Sequence, residues 1–219
     1  GTSTEVEGLF FADAATRANV FTLIVAHVED ATTNLFNMNK LFYDNLPPEI
    51  KPMLKASNAQ ELVFENPTKD PVEKKRNPGL RSRIRCVTAG SRGVGRSFTL
   101  RNVHCSESAF WPNMTENMLG ILQAVPDDKD TCVVMESTAN GYNEFKTFWD
   151  GAVSGENAFR PVFLAWYLDP DYRRPVPQGT EWTEDEEQMR ADYGLDDEQL
   201  QWRRWCIKAN CGGDVQTFR

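Results

Sequence analysis

The segment LRNVHCSESAFW, residues 100–111, contains an apolar run that ends in a serine and an acidic residue, Ser106 and Glu107. Short apolar runs bounded by turn-forming residues are typical of strands that are buried on both faces of a sheet. The run begins at Ser97, directly after a glycine-rich segment. We therefore predict a strand over residues 97–105, with the carboxylate of Glu107 just beyond its carboxyl end.

Similar apolar runs recur along the chain and alternate with helical patterns. The other predicted strands cover residues 20–28, 62–65, 83–87, 131–136 and 161–167. The predicted helices cover residues 4–18, 31–45, 115–125 and 142–153. This alternation predicts an α/β fold with a largely parallel sheet. Ligands of such sheets bind at the carboxyl ends of the strands, so the residues that follow each strand are the candidates for a functional site.

The charge balance of the chain is acidic, with a net charge of −8 over 219 residues. Proteins that bind nucleic acid usually carry a basic field, so composition gives no general case for DNA binding. Contact with DNA phosphates would need a local basic patch. The candidates are residues 74–76 (KKR) in a predicted surface loop over residues 67–78, and Arg81, Arg83 and Arg85.

Other features of the composition exclude several kinds of protein. The five cysteines are odd in number and form no CxxC pair, which favours reduced thiols in a cytosolic protein. His27 and His104 are the only histidines, which argues against a zinc site. The longest apolar run falls far short of the roughly 20 residues that a membrane span needs.

The character of the sequence changes after residue 167. Residues 168–180 are rich in proline and predict a linker, and helical patterns follow over residues 184–193 and 198–210. Thr183 has the position of an N-cap, with Glu186 as its capping-box partner. We predict a core domain over residues 1–167, and a linker with a helical tail over residues 168–219.

Residues 1–4 (GTST) open the first predicted helix. A phosphate-binding loop ends in Gly-Lys-Ser/Thr just before a helix, where backbone N–H groups face the phosphates and the Ser/Thr hydroxyl binds magnesium. Thr2 occupies the position of the lysine in this pattern. The alternative interpretation is an ordinary helix N-terminus that is capped by serine or threonine.

Two further segments carry groups that can act on a phosphate. Residues 88–96 (TAGSRGVGR) form a glycine-rich loop from which Arg92 and Arg96 project. A loop arginine can stabilise phosphate charge in its own subunit or in a neighbour; the alternative is a hairpin with solvent-facing arginines. Residues 133–141 (VVMESTANG) form a strand that ends in the hydroxyls of Ser137 and Thr138. The alternative there is a plain strand-to-helix turn.

Glu107 is the candidate for catalysis. ATPases of the additional-strand type place a carboxylate at the end of a buried strand, where it positions the water that attacks the γ-phosphate. The usual pair is Asp-Glu, in which the aspartate helps to hold magnesium, and Ser106 stands at the position of that aspartate. The alternative is that Ser106 and Glu107 merely cap a helix after the strand.

The order of these segments resembles that of the large terminase subunit of tailed phages and related viruses, a family that pumps DNA into a preformed capsid. The resemblance is strongest over residues 45–52 (NLPPEIKP), 103–111 (VHCSESAFW) and 136–141 (ESTANG). The spacing of Gly95 and Arg96 before the acidic strand also fits, as does WRRW at residues 202–205. The resemblance implies a P-loop NTPase fold of the RecA-like type, with a mostly parallel sheet flanked by helices.

The resemblance also implies ATP and Mg²⁺ as cofactors and a role for each candidate residue. Glu107 would be the catalytic carboxylate, next to Ser106 in the Walker B region. Ser137 and Thr138 would form the motif that couples hydrolysis to movement, and Arg96 would be an arginine finger that acts on a neighbour's ATP. The last part of the phosphate-binding loop would be Gly1, Thr2, Ser3 and Thr4, with Ser3 near magnesium.

The implied partners are double-stranded viral DNA, the portal protein, the small terminase subunit and other copies in a ring on the capsid. The implied location is the host bacterial cytoplasm, transiently on the procapsid and without a membrane. The chain departs from the family at Thr2 and Ser106, and it contains neither the upstream half of the phosphate loop nor a nuclease carboxylate cluster. We therefore expect this segment not to cut DNA. The alternatives are a helicase-type translocase with the same core and an inactive fragment of the motor.

Overall fold

The computed structural model describes residues 1–91 and 98–218. Contacts divide the chain into two compact units, Gly1–Gly151 and Ala152–Arg219, and each is described by itself. The functional boundary that the sequence places after residue 167 stays a prediction. Within the described ranges, no helix is long and apolar enough to cross a membrane.

The first unit is built on one sheet, which has six strands over the described residues. In chain order these are β1 (Phe21–Ala26), β2 (Ala56–Ser57), β3 (Glu61–Phe64), β4 (Ser82–Thr88), β5 (Asn102–Ser106) and β6 (Cys132–Glu136). Their order across the sheet is β2-β3-β4-β1-β5-β6. β4, β1, β5 and β6 are parallel to one another, whereas β3 is antiparallel to both of its neighbours, β2 and β4. The prediction of a mostly parallel sheet is therefore confirmed.

Helices cover both faces of this sheet. In chain order the first unit contains, among the described residues, α1 (Thr2–Thr16), α2 (Glu29–Asp44), α3 (Pro71–Arg76), α4 (Met114–Leu122) and most of α5 (Glu144–Ser154), and the second unit contains α6 (Glu184–Tyr193) and α7 (Asp197–Asn210). His104 of β5 points to α1, where it contacts Glu7. Cys105 points the opposite way, to Met118 of α4. Successive strand residues face opposite sides of a sheet, so α1 and α4 lie on opposite faces.

The main hydrophobic core lies between the sheet and the pair α1 and α2. Phe11, Phe36 and Phe64 are buried there with Ile24 and Ile84 from the central strands. The rings of Phe11 and Phe64 meet edge to face, with their centroids 6.1 Å apart. This packing fixes α1 against the sheet and so determines where its N-terminus lies.

Three predictions for the elements need correction. Among the described residues, the strand predicted over residues 97–105 begins at Asn102. The predicted loop over residues 67–78 contains the short helix α3, because Asp70 accepts a hydrogen bond from the amide of Val72 (2.9 Å) and Pro71 suits the first helical turn. The strand predicted over residues 161–167 is wrong. Residues 162–164 are exposed and lie outside any strand, and an apolar run makes a strand only where another strand pairs with it.

The second unit is held by capped helices and stacked aromatic rings. Thr183 and Asp196 cap α6 and α7, and each forms a complete capping box. Arg204 binds the carboxylate of Glu186, which is the main cause of the lowering of the pKa of Glu186 to about 2. The ring of Trp202 stacks on that of Tyr172, with their centroids 4.2 Å apart. The two helices predicted for the tail are thus confirmed.

Candidate functional site

Glu107 lies directly after β5 in an unusual backbone conformation. Its φ and ψ are 51° and 46°, in the left-handed region. This conformation costs a residue other than glycine on the order of 1–3 kcal/mol and persists only where the surroundings hold it. Strain of this kind concentrates at functional sites, which supports the choice of Glu107 from the sequence.

Two side chains hold the turn at Glu107. The hydroxyl of Ser108 donates to the carbonyl of Cys105 (3.1 Å), and the indole Nε1 of Trp111 donates to the carbonyl of Ser106 (2.9 Å). Ser108 and Trp111 are both buried. Because the backbone on either side of Glu107 is tied down, the direction of its carboxylate is fixed by the fold.

The carboxylate of Glu107 meets the hydroxyl residues at the end of β6. Its Oε2 atom accepts hydrogen bonds from Ser137 Oγ (3.3 Å), Thr138 Oγ1 (3.4 Å) and the Thr138 amide (3.4 Å). These contacts are long and Glu107 is only half-buried, so the carboxylate stays accessible to a ligand. The structure thus brings together three of the residues selected from the sequence.

The backbone of the loop that follows β5 also bonds to side chains of the loop that follows β6. The amide of Ala109 donates to Ser137 Oγ (3.1 Å). The carbonyl of Ala109 accepts from the side-chain amides of Asn140 (3.1 Å) and Asn143 (2.7 Å). The two loops therefore form one hydrogen-bonded unit, in which a shift of one displaces the other.

The N-terminus of α1 lies at the same edge of the sheet. Gly1 is its N-cap and provides no side chain to cap the helix, and Gly1 and Thr2 are exposed. The Thr4 hydroxyl lies 3.9 Å from the sulfur of Met38. Ser3 Oγ donates a hydrogen bond to Oε1 of Glu136 (3.0 Å), and Glu136 is the last residue of β6. An uncapped helix start beside two strand ends is a suitable place for a phosphate group.

A buried polar cluster lies beneath this edge and was not foreseen from the sequence. His104 Nδ1 lies 2.5 Å from Glu7 Oε1, and the Asn39 amide donates to Glu7 Oε2 (2.5 Å). Glu7, Asn39 and His104 have no exposed surface. His104 Nε2 is 3.3 Å from Glu136 Oε1, at ion-pair distance but not aligned for a hydrogen bond. The cluster connects α1 and α2 to the ends of β5 and β6.

The two carboxylates keep the buried imidazole charged. Burial alone would favour neutral imidazole, but the interactions with Glu136 and Glu7 prevail and raise the pKa of His104 to about 9. Burial would likewise raise the pKa of Glu136, but its interactions with His104, Ser106 and Ser3 lower that pKa below its usual value. At neutral pH, His104 is therefore an imidazolium beside an ionised Glu136.

This charge state predicts how stability depends on pH. The folded-state pKa of His104 lies above the unfolded value of 6.5, so its contribution is complete below pH 6.5 and is lost as pH rises through about 9. We expect the free energy of unfolding to fall over this range in the native protein. The fall should be smaller in His104→Gln, as measured by chemical denaturation at several pH values. Equal pH dependence in the two proteins would contradict the assignment.

The remaining candidates from the sequence are distributed as follows. Arg96, the predicted arginine finger, and Arg92 lie outside the described residues. Lys74 and Arg83 pair with Glu65 (3.4 Å) and Glu61 (3.1 Å), whereas residues 75–76 are exposed at the end of α3. Arg81 is exposed as well, and Arg85 is half-buried, so of the proposed DNA contacts residues 75–76 and Arg81 are the exposed basic side chains.

Comparisons with known proteins give the fold but no family assignment. No family model matches the sequence. The structure resembles the crystal structure of the HK97 bacteriophage large terminase, with a TM-score of 0.55 and 14% identity, over 99% of this chain and 42% of that one. The Thermus phage P74-26 large terminase ATPase domain and a mutant of it are also similar, with TM-scores of 0.46 and 0.49 and identities of 18% and 20%.

The class that the HK97 structure and the sheet order define is a mostly parallel α/β fold flanked by helices, as predicted. The particular structure that it resembles over nearly all of its length is a phage large terminase. The chain spans only 42% of the HK97 protein, and 60% of each P74-26 chain. The likeness therefore concerns the fold, and function has to be argued from the site.

The donor groups at the site suit magnesium and a phosphate. Magnesium prefers oxygen ligands such as hydroxyls and carboxylates, and Ser3 and Glu136 place one of each 3.0 Å apart. The start of α1 offers amides to a phosphate, and Glu107 stands at the neighbouring strand end. Thr2 has no positive charge, so the charge that a lysine would supply has to come from another residue.

Proposed function

We propose that the chain is the ATPase part of a viral DNA-packaging motor, which hydrolyses ATP to drive double-stranded DNA into a preformed capsid. The observation that carries the proposal is the contact of Glu107 with Ser137 and Thr138, beside the open N-terminus of α1. The fold, which resembles that of the HK97 large terminase, supports it.

In this proposal each part of the site has one task. The first turn of α1, from Gly1 to Thr4, binds the phosphates of ATP, with the Ser3 hydroxyl near magnesium. Glu107 accepts a proton from the attacking water and orients it. Arg96 stabilises the phosphate charge of a neighbouring copy in the ring.

The contacts of Glu107 also suggest how hydrolysis is transmitted. Its carboxylate bonds to Ser137 and Thr138, and the loop that they begin is fastened to Ala109 by Asn140 and Asn143. A change of charge near Glu107 would weaken or strengthen these long bonds. The joined loops would then pass the change to α5, which follows Asn143 directly. The portal protein, the small terminase subunit and the DNA are the proposed recipients of this movement.

The proposal predicts that the full-length protein hydrolyses ATP in a magnesium-dependent reaction that double-stranded DNA accelerates. The acceleration should decline with added salt, because DNA phosphate contacts release counterions. Phosphate release, measured with and without linear duplex DNA, tests both points. Absence of ATP hydrolysis would overturn the proposal. Separation of a forked duplex would instead favour a helicase-type translocase with the same core.

A further inference from the structure

Ser106, the last residue of β5, provides no carboxylate on the magnesium side of Glu107. In the usual Asp-Glu pair of additional-strand ATPases, an aspartate that helps to hold magnesium stands at this position, next to the catalytic glutamate. A serine hydroxyl cannot supply that negative charge. The position that pairs with Ser106 across the sheet is Glu136, the last residue of the neighbouring parallel strand β6. A carboxylate is therefore present at the same level of the sheet, one strand away.

The side chain of Glu136 makes the contact that such a carboxylate needs. Its Oε1 atom accepts a hydrogen bond from the Ser3 hydroxyl, with 3.0 Å between the two oxygens. A serine hydroxyl has one proton to donate and two lone pairs. When the proton is committed to a carboxylate, the lone pairs are left for a cation, and groups that orient a metal ligand in this way raise metal affinity. Glu136 is thus placed to set the direction of the Ser3 lone pairs.

The buried cluster holds Glu136 in this position. His104 is fully buried, and its Nε2 atom has no hydrogen-bond partner among the described residues but lies 3.3 Å from Glu136 Oε1. The other ring nitrogen is fixed by Glu7, which is in turn held by Asn39. At this distance the buried ring of His104 limits the movement of the Glu136 carboxylate. The buried side chains of Glu7, Asn39 and His104 thus lead by contact to Glu136, which bonds to Ser3.

We propose that Glu136 replaces the aspartate whose position Ser106 occupies. It is a positioning residue that orients the Ser3 hydroxyl toward the magnesium ion of bound ATP. His104, which is itself held by Glu7, keeps the Glu136 side chain in position. The proposal rests on the proposed ATPase function, and it assigns to β6 a magnesium-side role that the usual Asp-Glu pattern places on β5. Glu136 acts through Ser3 and need not touch the ion.

The test measures the affinity for magnesium rather than the rate of ATP hydrolysis. A fluorescent non-hydrolysable ATP analogue is bound to the full-length protein, and MgCl₂ is titrated to find the concentration that gives half of the magnesium-dependent binding. We expect Glu136→Gln to raise this concentration by about 10–100-fold and to leave binding of the analogue in EDTA unchanged. The matched control is Glu144→Gln, an exposed carboxylate that accepts from the amide of Thr115 and does not contact Ser3. The control should behave as the native protein.

Two further variants keep the proposal testable if Glu136→Gln destabilises the fold. Glu136→Asp keeps the charge beside His104 but withdraws it from Ser3, so magnesium affinity should fall here too. In a Ser3→Ala background, a substitution at Glu136 should cause little further loss, because the two residues act as a unit.

Three outcomes would overturn the proposal. The first is unchanged magnesium affinity in both Glu136 variants. The second is a full additional loss in the Ser3→Ala background, which would make Glu136 independent of Ser3. The third is the absence of magnesium-dependent nucleotide binding in the native protein, which would remove the proposed ATPase function as well. The first two outcomes leave the ATPase proposal intact.

Discussion

Replacement of Glu107 by glutamine is expected to lower the ATPase rate of the full-length protein by about 10²–10⁴-fold, the contribution of a positioned general base. Glutamine has nearly the shape of glutamate and can still accept a hydrogen bond from Ser137 or Thr138, but it cannot take a proton from water. The turn at residue 107 is held by Ser108 and Trp111, neither of which depends on the carboxylate. The variant should therefore fold and bind ATP normally.

Single-turnover hydrolysis and equilibrium binding of ATP, measured on the same preparation, separate these effects. Loss of turnover with retained binding is the expected pattern. Glu144→Gln is again the matched control, since it removes an exposed carboxylate from the start of α5 and should keep the native rate. Wild-type turnover by the Glu107→Gln protein would exclude Glu107 as the catalytic carboxylate.

Replacement of Glu7 by leucine is expected to lower the free energy of unfolding by about 3–5 kcal/mol, the usual cost of removing one partner from a buried ion pair. Glu7 is fully buried and is bonded to both His104 and Asn39. Its loss leaves a buried imidazolium with a single counter-charge and the Asn39 amide without the acceptor on Glu7.

Denaturant unfolding measures this loss, and Glu5→Gln on the same helix is the control. Glu5 is exposed, so its substitution should cost less than about 1 kcal/mol. The double variant Glu7→Leu, His104→Leu should lose less than the sum of the two single variants, because the unpaired charge is gone. A loss below 1 kcal/mol in Glu7→Leu, or strict additivity, would show that the cluster does not act as a unit.

The fold and the central part of the site follow from the sequence for a simple reason. Parallel strands all bring their carboxyl ends to one edge, so a carboxylate after one strand and hydroxyls after another are expected to meet if the strands are neighbours. Glu107 and the pair Ser137 and Thr138 meet in this way. The alternation of strands and helices predicts one common edge, whereas the structure shows that β5 and β6 are neighbours.

The buried cluster could not be predicted by the same reasoning. Glu7 and His104 are 97 residues apart, and Ser3 and Glu136 are 133 apart. Their contacts depend on the packing of α1 against β5 and on the register of β5 and β6, neither of which is encoded in a local pattern. The one local signal was a glutamate on the inward face of the first helix, among Phe10, Phe11 and Ala14. A charged residue at such a position is almost never buried unless it is paired.

The prediction of a strand over residues 161–167 is wrong because hydrophobicity alone does not show whether a segment has a strand to pair with. The run from Pro161 to Tyr167 is apolar enough for a buried strand, but no described strand pairs with it and Phe163 is 76% exposed. A short apolar run is defined as a strand by its neighbours, which periodicity cannot supply. The first tail helix was predicted correctly from the capping box of Thr183 and Glu186, because such a box is local in sequence.

The central claim is that ATP binds between the start of α1 and the carboxylate of Glu107. Its most direct test is the structure of the full-length Glu107→Gln protein with bound Mg-ATP. We predict that the triphosphate lies at the first turn of α1, with Ser3 beside the magnesium ion and the γ-phosphate facing residue 107. A nucleotide bound away from this strand edge, with residue 107 remote from its phosphates, would contradict the account.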